Sequence, residues 1–219
     1  KLIRLYPVPF RLIGDDKQFR KWQWVTARLE KSRNDHRPES HKLYVDTIDC
    51  DGAELPTDNQ WLARRPWLDK LPTFDNFDAI EAARQFEGTT LALLRPARIV
   101  KLDITPVSSP EWTEDEKANL VRLQQQEDLF DDTDKKSVAQ LRKLPYDFHY
   151  RYDCQTSEGP KAYRHKIVDW EIGALYWNVH RRHGTHWEKP FREKLEAFLP
   201  AQDLMFLLGT IHRFPDQWL

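Results

Sequence analysis

Residues 144–184 read LPYDFHYRYDCQTSEGPKAYRHKIVDWEIGALYWNVHRRHG, and no other stretch constrains the fold so tightly. Over 146–153, Tyr146, Phe148, Tyr150 and Tyr152 alternate with Asp147, His149, Arg151 and Asp153. Period-two alternation with aromatics on one side is the pattern of a half-buried strand. Thr156-Ser157-Glu158-Gly159-Pro160 is turn chemistry, with Gly159 able to take a positive φ. Residues 162–168 return as a second strand. Asp169 then ends that strand and opens a helix, because its carboxylate accepts from free backbone N–H groups at the positive helix end. Val168, Ile172, Leu175 and Val179, widened by Trp170, Ala174 and Trp177, form the expected apolar stripe. His180, Arg181, Arg182 and His183 complement the dipole of the last turn, and Gly184 suits a left-handed closing residue.

Earlier in the chain, residues 3–11 alternate apolar and basic side chains and bend at Pro7 and Pro9, which confines them to a strand end or sheet edge. Residues 22–29 read as a strand, with Gln23, Val25, Ala27 and Leu29 on one face and Trp22 and Trp24 on the other. Residues 42–48 read as another. Pro66 costs a helix interior about 3 kcal/mol, so 59–71 is expected as two helical turns with a break. Phe77, Ile80, Ala83 and Phe86 make a helical stripe over 76–87, stopped by Gly88. Residues 91–94 and 98–105 read as strands around Arg95-Pro96. Thr113 to Glu116 is a capping box, opening a mostly charged helix to about Leu129 that Leu120 and Leu123 anchor. Residues 131–137 are the best linker. A second capping box, Thr185 to Glu188, opens a helix ending at Leu199 before Pro200, with Phe191, Leu195 and Phe198 facing inward. Residues 204–211 read as a buried strand, with Gly209 at a bulge or close approach.

Several short strands followed by helices beside a hairpin indicate an α+β fold. The N-terminal half is expected to form a small, partly open barrel of the OB or PUA kind, although its hydrophobic pattern fits a mixed sheet equally well. The expected domains are 1–130, β-rich with inserted helices, and 138–219, with the hairpin, two helices and a strand, unless the two form one continuous domain. The missing initial Met, and an end at Gln217-Trp218-Leu219 just where a strand would begin, suggest a chain cut at both ends.

Net charge is −1, so non-specific attraction to a polyanion is not a whole-chain property, and any phosphate contact must rest on a local patch. Two cysteines are too few for a disulfide scaffold and fit a reducing cytoplasm. No apolar run of about 18 residues exists, so no membrane-spanning segment is expected. Seven glycines with no glycine-rich loop argue against a nucleotide-binding α/β fold, and no G-x-S-x-G occurs.

The segments Ile3-Arg4-Leu5-Tyr6-Pro7-Val8-Pro9-Phe10-Arg11, Phe19-Arg20-Lys21-Trp22-Gln23-Trp24, Pro38-Glu39-Ser40 and Asp169-Trp170-Glu171-Ile172-Gly173-Ala174-Leu175-Tyr176 resemble the WIRLYPVPFR, FRKYQW, RPES and DWEIGALY motifs of a family of uncharacterised bacterial proteins. The resemblance spans most of the chain. The first motif is similar to the WIRPVS strand of bacterial dual OB-domain proteins. Members of the resembled family often carry a Cys-x-x-x-x-Cys-x-x-His-like cluster before the helix. Only Cys154 and His165 stand there in this chain.

Nine tryptophans are many for this length, and indoles offer broad stacking faces as well as core and interface anchors. Trp22 and Trp24, with Tyr6 and Phe10, interleave with Arg4, Arg11, Arg20, Lys21, Arg95, Arg98 and Arg151. On an OB-like sheet, such aromatics stack bases while arginines follow the backbone. The first functional expectation is therefore a nucleic-acid or modified-base binding module, with contacts from Arg4, Arg11, Arg20, Trp22, Trp24, Arg95 and Arg98. Two alternatives compete. One is a metal-dependent hydrolase or nuclease using Asp169, Glu171 and histidines. The other is a protein-interaction subunit whose exposed indoles meet a partner. No cofactor is expected; zinc or another divalent ion would use His180, His183 and His186, spaced H-x-x-H-x-x-H. Cys154 with His165 is a further candidate, as half a zinc site or a nucleophile–base pair.

Overall fold

A computed structural model describes residues 1–6, 8, 18–50, 52–109, 111–115, 118 and 142–219. Arg11, Phe10, Leu120, Leu123 and the 131–137 linker lie outside the described residues. The chain divides into two units: residues 1–72 with 112–142, and residues 73–111 with 143–219.

In the first unit, β1 (Arg4–Leu5), β2 (Leu29–Lys31) and β3 (Ser40–Leu43) form a sheet of order β1-β3-β2, with β1 at an edge. The strand expected over 22–29 is reduced to β2. Trp22 takes a φ of 65°, which breaks an extended run, and only isolated bridges at Gln23 and Thr26 precede Leu29. The strand expected over 42–48 ends at Leu43, and Val45–Thr47 is a 3-10 turn. Three short strands cannot close, so the expected OB- or PUA-like barrel is not found among the described residues. The unit's apolar centre is small, with Leu43 and Ile48 buried against Val25, Ala27 and Val45. Ion pairs and hydrogen bonds supplement it. Asp35 receives Arg37 Nε and the Ser40 hydroxyl, Lys31 Nζ donates to the Arg37 and Ser40 carbonyls, and Arg4 meets buried Glu39 at 3.1 Å. The next segment is interrupted, into α1 (Asp58–Trp61) and α2 (Arg65–Leu68), but Pro66 lies in the first turn of α2 rather than at the break, and α1 is not a regular helical turn, since Asn59, Gln60 and Trp61 all have positive φ.

The second unit holds the large core. Asn76 caps α3 (Phe77–Glu87) by accepting from Ala79 N–H, and Gly88, at φ 70°, closes it. Strands β5 (Leu91–Leu94) and β9 (Phe206–Ile211) sit between β4 (Thr73–Phe74) and β10 (Phe214–Trp218), in the order β10-β9-β5-β4. A second sheet, of order β6-β7-β8, contains β6 (Arg98–Pro106), β7 (Tyr146–Thr156) and β8 (Gly159–Lys166). Because β5 pairs with β9 and β6 with β7, residues 73–111 belong with the C-terminal half. The expected 1–130 and 138–219 partition placed them with the N-terminal half, and its own boundary falls outside the described residues.

The hairpin and helix follow the sequence closely. Asp169 caps α4 (Trp170–His183) by accepting from Glu171 N–H. The helix buries Ile172, Gly173 and Tyr176, however, while Val168 and Trp170 stay exposed, so the buried stripe lies to one side of the expected one. Gly184 does take a positive φ, 55°, but with ψ at −127° it is not a standard left-handed cap. Thr185 falls in a 3-10 turn, and α5 (Glu188–Arg192) opens without a side-chain cap. It runs into a π-helical stretch, Glu193–Phe198, in which Leu199 N–H bonds the Lys194 carbonyl. That register would point the Leu195 carbonyl at Pro200, which has no N–H; the Tyr150 hydroxyl donates to it instead at 2.9 Å. Phe191 and Leu195 are buried as expected, whereas Phe198 is exposed.

Candidate functional site

Two surfaces bear groups suited to binding, one in each unit. In the first unit, Trp22 and Trp61 meet edge to face at 5.4 Å, and Trp24 and Trp67 at 4.8 Å. The Arg64 guanidinium stands 4.9 Å from the Trp22 ring and 5.0 Å from the Trp61 ring. Arg64 is itself buried and held by the Leu55 carbonyl, which its Nε reaches at 2.8 Å. Lys70 Nζ lies 4.4 Å over Trp67. Despite these contacts, Trp24, Trp67 and Trp61 remain 50%, 43% and 41% exposed.

The backbone at Trp22 and Trp61 is strained. Asn59, Gln60 and Trp61 follow one another at φ of 49°, 55° and 64°, and Trp22 is at 65°. Left-handed geometry costs a side-chain-bearing residue roughly 1–2 kcal/mol. Asn tolerates it; two tryptophans do not do so readily. Strain concentrated under exposed aromatics is a reason to suspect function there.

The described arginines expected beside the indoles are engaged elsewhere. Arg4 pairs with Glu39, and Arg20 with Glu54 at 2.8 Å. Arg95 and Arg98 belong to the second unit and pair with Asp203 at 3.0 Å and Asp153 at 2.5 Å. Arg64 and Lys70, which sequence reading passed over, are the cations that face the rings. Their signal was the alternation of indoles and cations in Trp61-Leu62-Ala63-Arg64-Arg65-Pro66-Trp67-Leu68-Asp69-Lys70.

The second surface is the outer face of the β6-β7-β8 sheet. Register places Lys101, Arg151 and Arg164 side by side in one cross-strand row, with Asp103, His149 and Lys166 in the next. Asp103 accepts from Arg151 Nε at 2.7 Å and Arg164 Nε at 2.9 Å, and Lys101 Nζ is 3.5 Å away. Those cations, Arg151 foremost, hold the Asp103 carboxyl far below the usual carboxylate range. His149 Nδ1 has no hydrogen-bond partner among the described residues, and burial, aided by Arg164, lowers the ring's pKa. Arg192, from α5, bonds the Leu102 carbonyl at 2.7 Å while Glu196 accepts from Leu102 N–H at 2.7 Å, so the two side chains cover the free edge of β6. Lys101, Asp103, Arg151, Arg164 and Arg192 line a shallow depression of about 430 Å³.

The metal and nucleophile candidates do not assemble. His180 is tilted against Tyr176 at 5.6 Å and meets Trp177 edge-on at 6.1 Å, His183 and His186 are exposed, and the three do not converge as a ligand set among the described residues. Cys154 lies opposite Lys161 and His165 opposite Tyr150, two inward rows apart. The Cys154 thiol is fully buried and its pKa is raised by that burial, the reverse of what a nucleophile needs. His165 Nδ1 instead pairs with the Tyr152 hydroxyl at 2.8 Å. Asp169 is occupied as the cap of α4, with Glu171 exposed beside it.

The comparisons follow the division into units except over 112–142, which group with the first unit but fall within the second family match. Residues 73–219 match the family described as a domain of unknown function, DUF8757. The chain belongs to that family. Residues 1–70 match a second domain of unknown function, DUF8758. No curated protein and no solved structure matches the chain. The DUF8757 region thus carries the cationic sheet face, and the DUF8758 region carries the two edge-to-face tryptophan pairs. No helix among the described residues is long and apolar enough to cross a membrane.

Proposed function

We propose that this protein binds single-stranded nucleic acid through the tryptophan cluster of its N-terminal unit, with Trp24, Trp61 and Trp67 stacking on bases and Lys70 close to the backbone. The observation that carries this reading is the exposure of three indoles, Trp24, Trp61 and Trp67, at 41–50%. Base stacking tolerates any sequence because every base has a π face, and it does not require a basic protein. Nor does it require a closed barrel.

Titration with an oligothymidylate, followed by tryptophan fluorescence, tests the proposal. Trp24→Ala and Trp67→Ala are each expected to weaken binding about fivefold to a hundredfold, the worth of one stacked base. Affinity should fall modestly with salt. Binding that is absent, or unchanged in both variants, refutes the reading.

One observation favours a protein partner on the same surface: Leu62 is 65% exposed beside Trp61. Apolar exposure next to indoles marks protein interfaces. Under that reading the oligonucleotide does not bind, and a partner is retained by the wild type but not by Leu62→Asp.

A further inference from the structure

We propose that the row Lys101–Arg151–Arg164 is a binding site for a phosphate monoester. The inference goes beyond the tryptophan surface and does not depend on it, since the row stands wholly in the DUF8757 unit.

Like charges placed opposite one another on neighbouring strands repel, and a sheet selected only for stability avoids them. Here three cations stand in one row across three strands, Lys101 opposite Arg151 and Arg151 opposite Arg164. A single carboxylate, Asp103, sits among them, so the group keeps a surplus of two positive charges. A phosphate monoester above its second ionisation carries about two negative charges.

The guanidinium groups are also aimed. Asp103 holds Arg151 and Arg164 by their Nε edges, at 2.7 and 2.9 Å. The Nη ends of both have no hydrogen-bond partner among the described residues. Asp103 therefore acts as a positioning residue, fixing two forks whose outer N–H groups are available to a tetrahedral oxyanion. Lys101, 55% exposed, supplies a further donor. The depression of about 430 Å³ above the row has room for a phosphoryl group and an attached sugar. Arg192, on its rim, is committed to Leu102, Glu188 and Glu196. The phosphate can arrive on a free nucleotide or at the end of a strand; the chemistry is the same.

The test uses the full chain. Adenosine 5′-monophosphate is compared with adenosine, and a 5′-phosphorylated oligonucleotide with its 5′-hydroxyl counterpart. The phosphorylated member of at least one pair is expected to bind about tenfold tighter or more. Preference within the first pair alone identifies a free nucleotide, and preference within the second a strand end. Arg151→Gln with Arg164→Gln should abolish the preference, whereas Arg98→Gln, on the same sheet but paired with Asp153, should leave it intact. Phenylglyoxal labelling of the wild type, mapped by peptide mass, removes any dependence on variant folding: the favoured ligand should protect Arg151 and Arg164 but not Arg98. Trp24→Ala should not alter that protection, which separates this site from the stacking surface. Equal binding within both pairs, or no protection of Arg151 and Arg164, overturns the proposal.

Discussion

Phe191→Ala is expected to destabilise the DUF8757 unit by about 3–5 kcal/mol, the cost of removing a fully enclosed ring. Phe191 has no exposed surface. Its ring lies 4.8 Å from Phe148 of β7, 5.5 Å from Trp187 and 6.3 Å from Tyr176 of α4. Strand, helix and the turn before α5 therefore meet on one side chain. Their rings also brace one another, with Tyr146 and Trp187 at 5.0 Å and Tyr176 and Trp187 at 4.8 Å, so none can move in to fill the space. Urea unfolding followed by near-ultraviolet circular dichroism reads the loss. Phe86→Ala, at a site 85% exposed, is the control and should stay within about 0.5 kcal/mol. A Phe191→Ala cost below about 1 kcal/mol would mean the aromatic cluster does not hold the hairpin to α4 and α5.

Acid should produce the second large effect. Burial lowers the His165 pKa from its ordinary 6.5 to about 4. The unfolded chain therefore binds a proton between pH 6.5 and about 4 that the folded chain refuses, and stability falls as pH drops through that window. The gap corresponds to about 3 kcal/mol, complete once pH is below about 4. His149, lowered chiefly by burial, acts in the same direction. Glu81 does not produce this slope at its upper end. The bond from Arg84 holds its carboxyl at about 2, so its stabilisation is present above 4.5 and is lost only as pH falls towards 2. Urea midpoints measured from pH 7 to 4 should decline in the wild type. In His165→Gln, which leaves the Tyr152 hydroxyl an amide partner, the decline should be much shallower. Equal slopes in the two proteins would place the titrating group elsewhere.

The legible parts of this fold were those set by neighbours in the chain. The alternation over 146–153, the Gly159 turn and the Asp169 cap each act across a few residues, and each appears where the pattern placed it. Asn76 and Gly88 bound α3 for the same reason. Pairings between distant strands left no such trace. That β5 would pair with β9, and so carry residues 73–111 into the C-terminal half, depends on partners more than 110 residues apart. The cationic row was hidden likewise: Arg151 was visible on the outer face of β7, but Lys101 and Arg164 reach it only through cross-strand register. The strand expected at Trp22 failed on backbone geometry, since nothing in an alternating pattern announces a φ of 65°. Counting tryptophans also could not separate their uses. Trp187 and Trp218 are core residues at 7% exposure, while Trp24, Trp61 and Trp67 are largely open.

That contrast supplies the most direct measurement. With ¹⁵N-labelled tryptophan, each of the nine indole N–H groups gives its own resonance, assignable by single substitution. On titration with an oligothymidylate, the signals of Trp22, Trp24, Trp61 and Trp67 should move together and saturate together. Trp187 and Trp218 should hold still, and so should Trp170, which is 67% exposed but belongs to the other unit. Movement confined to Trp170, or no movement among the four, would contradict a stacking surface in the N-terminal unit.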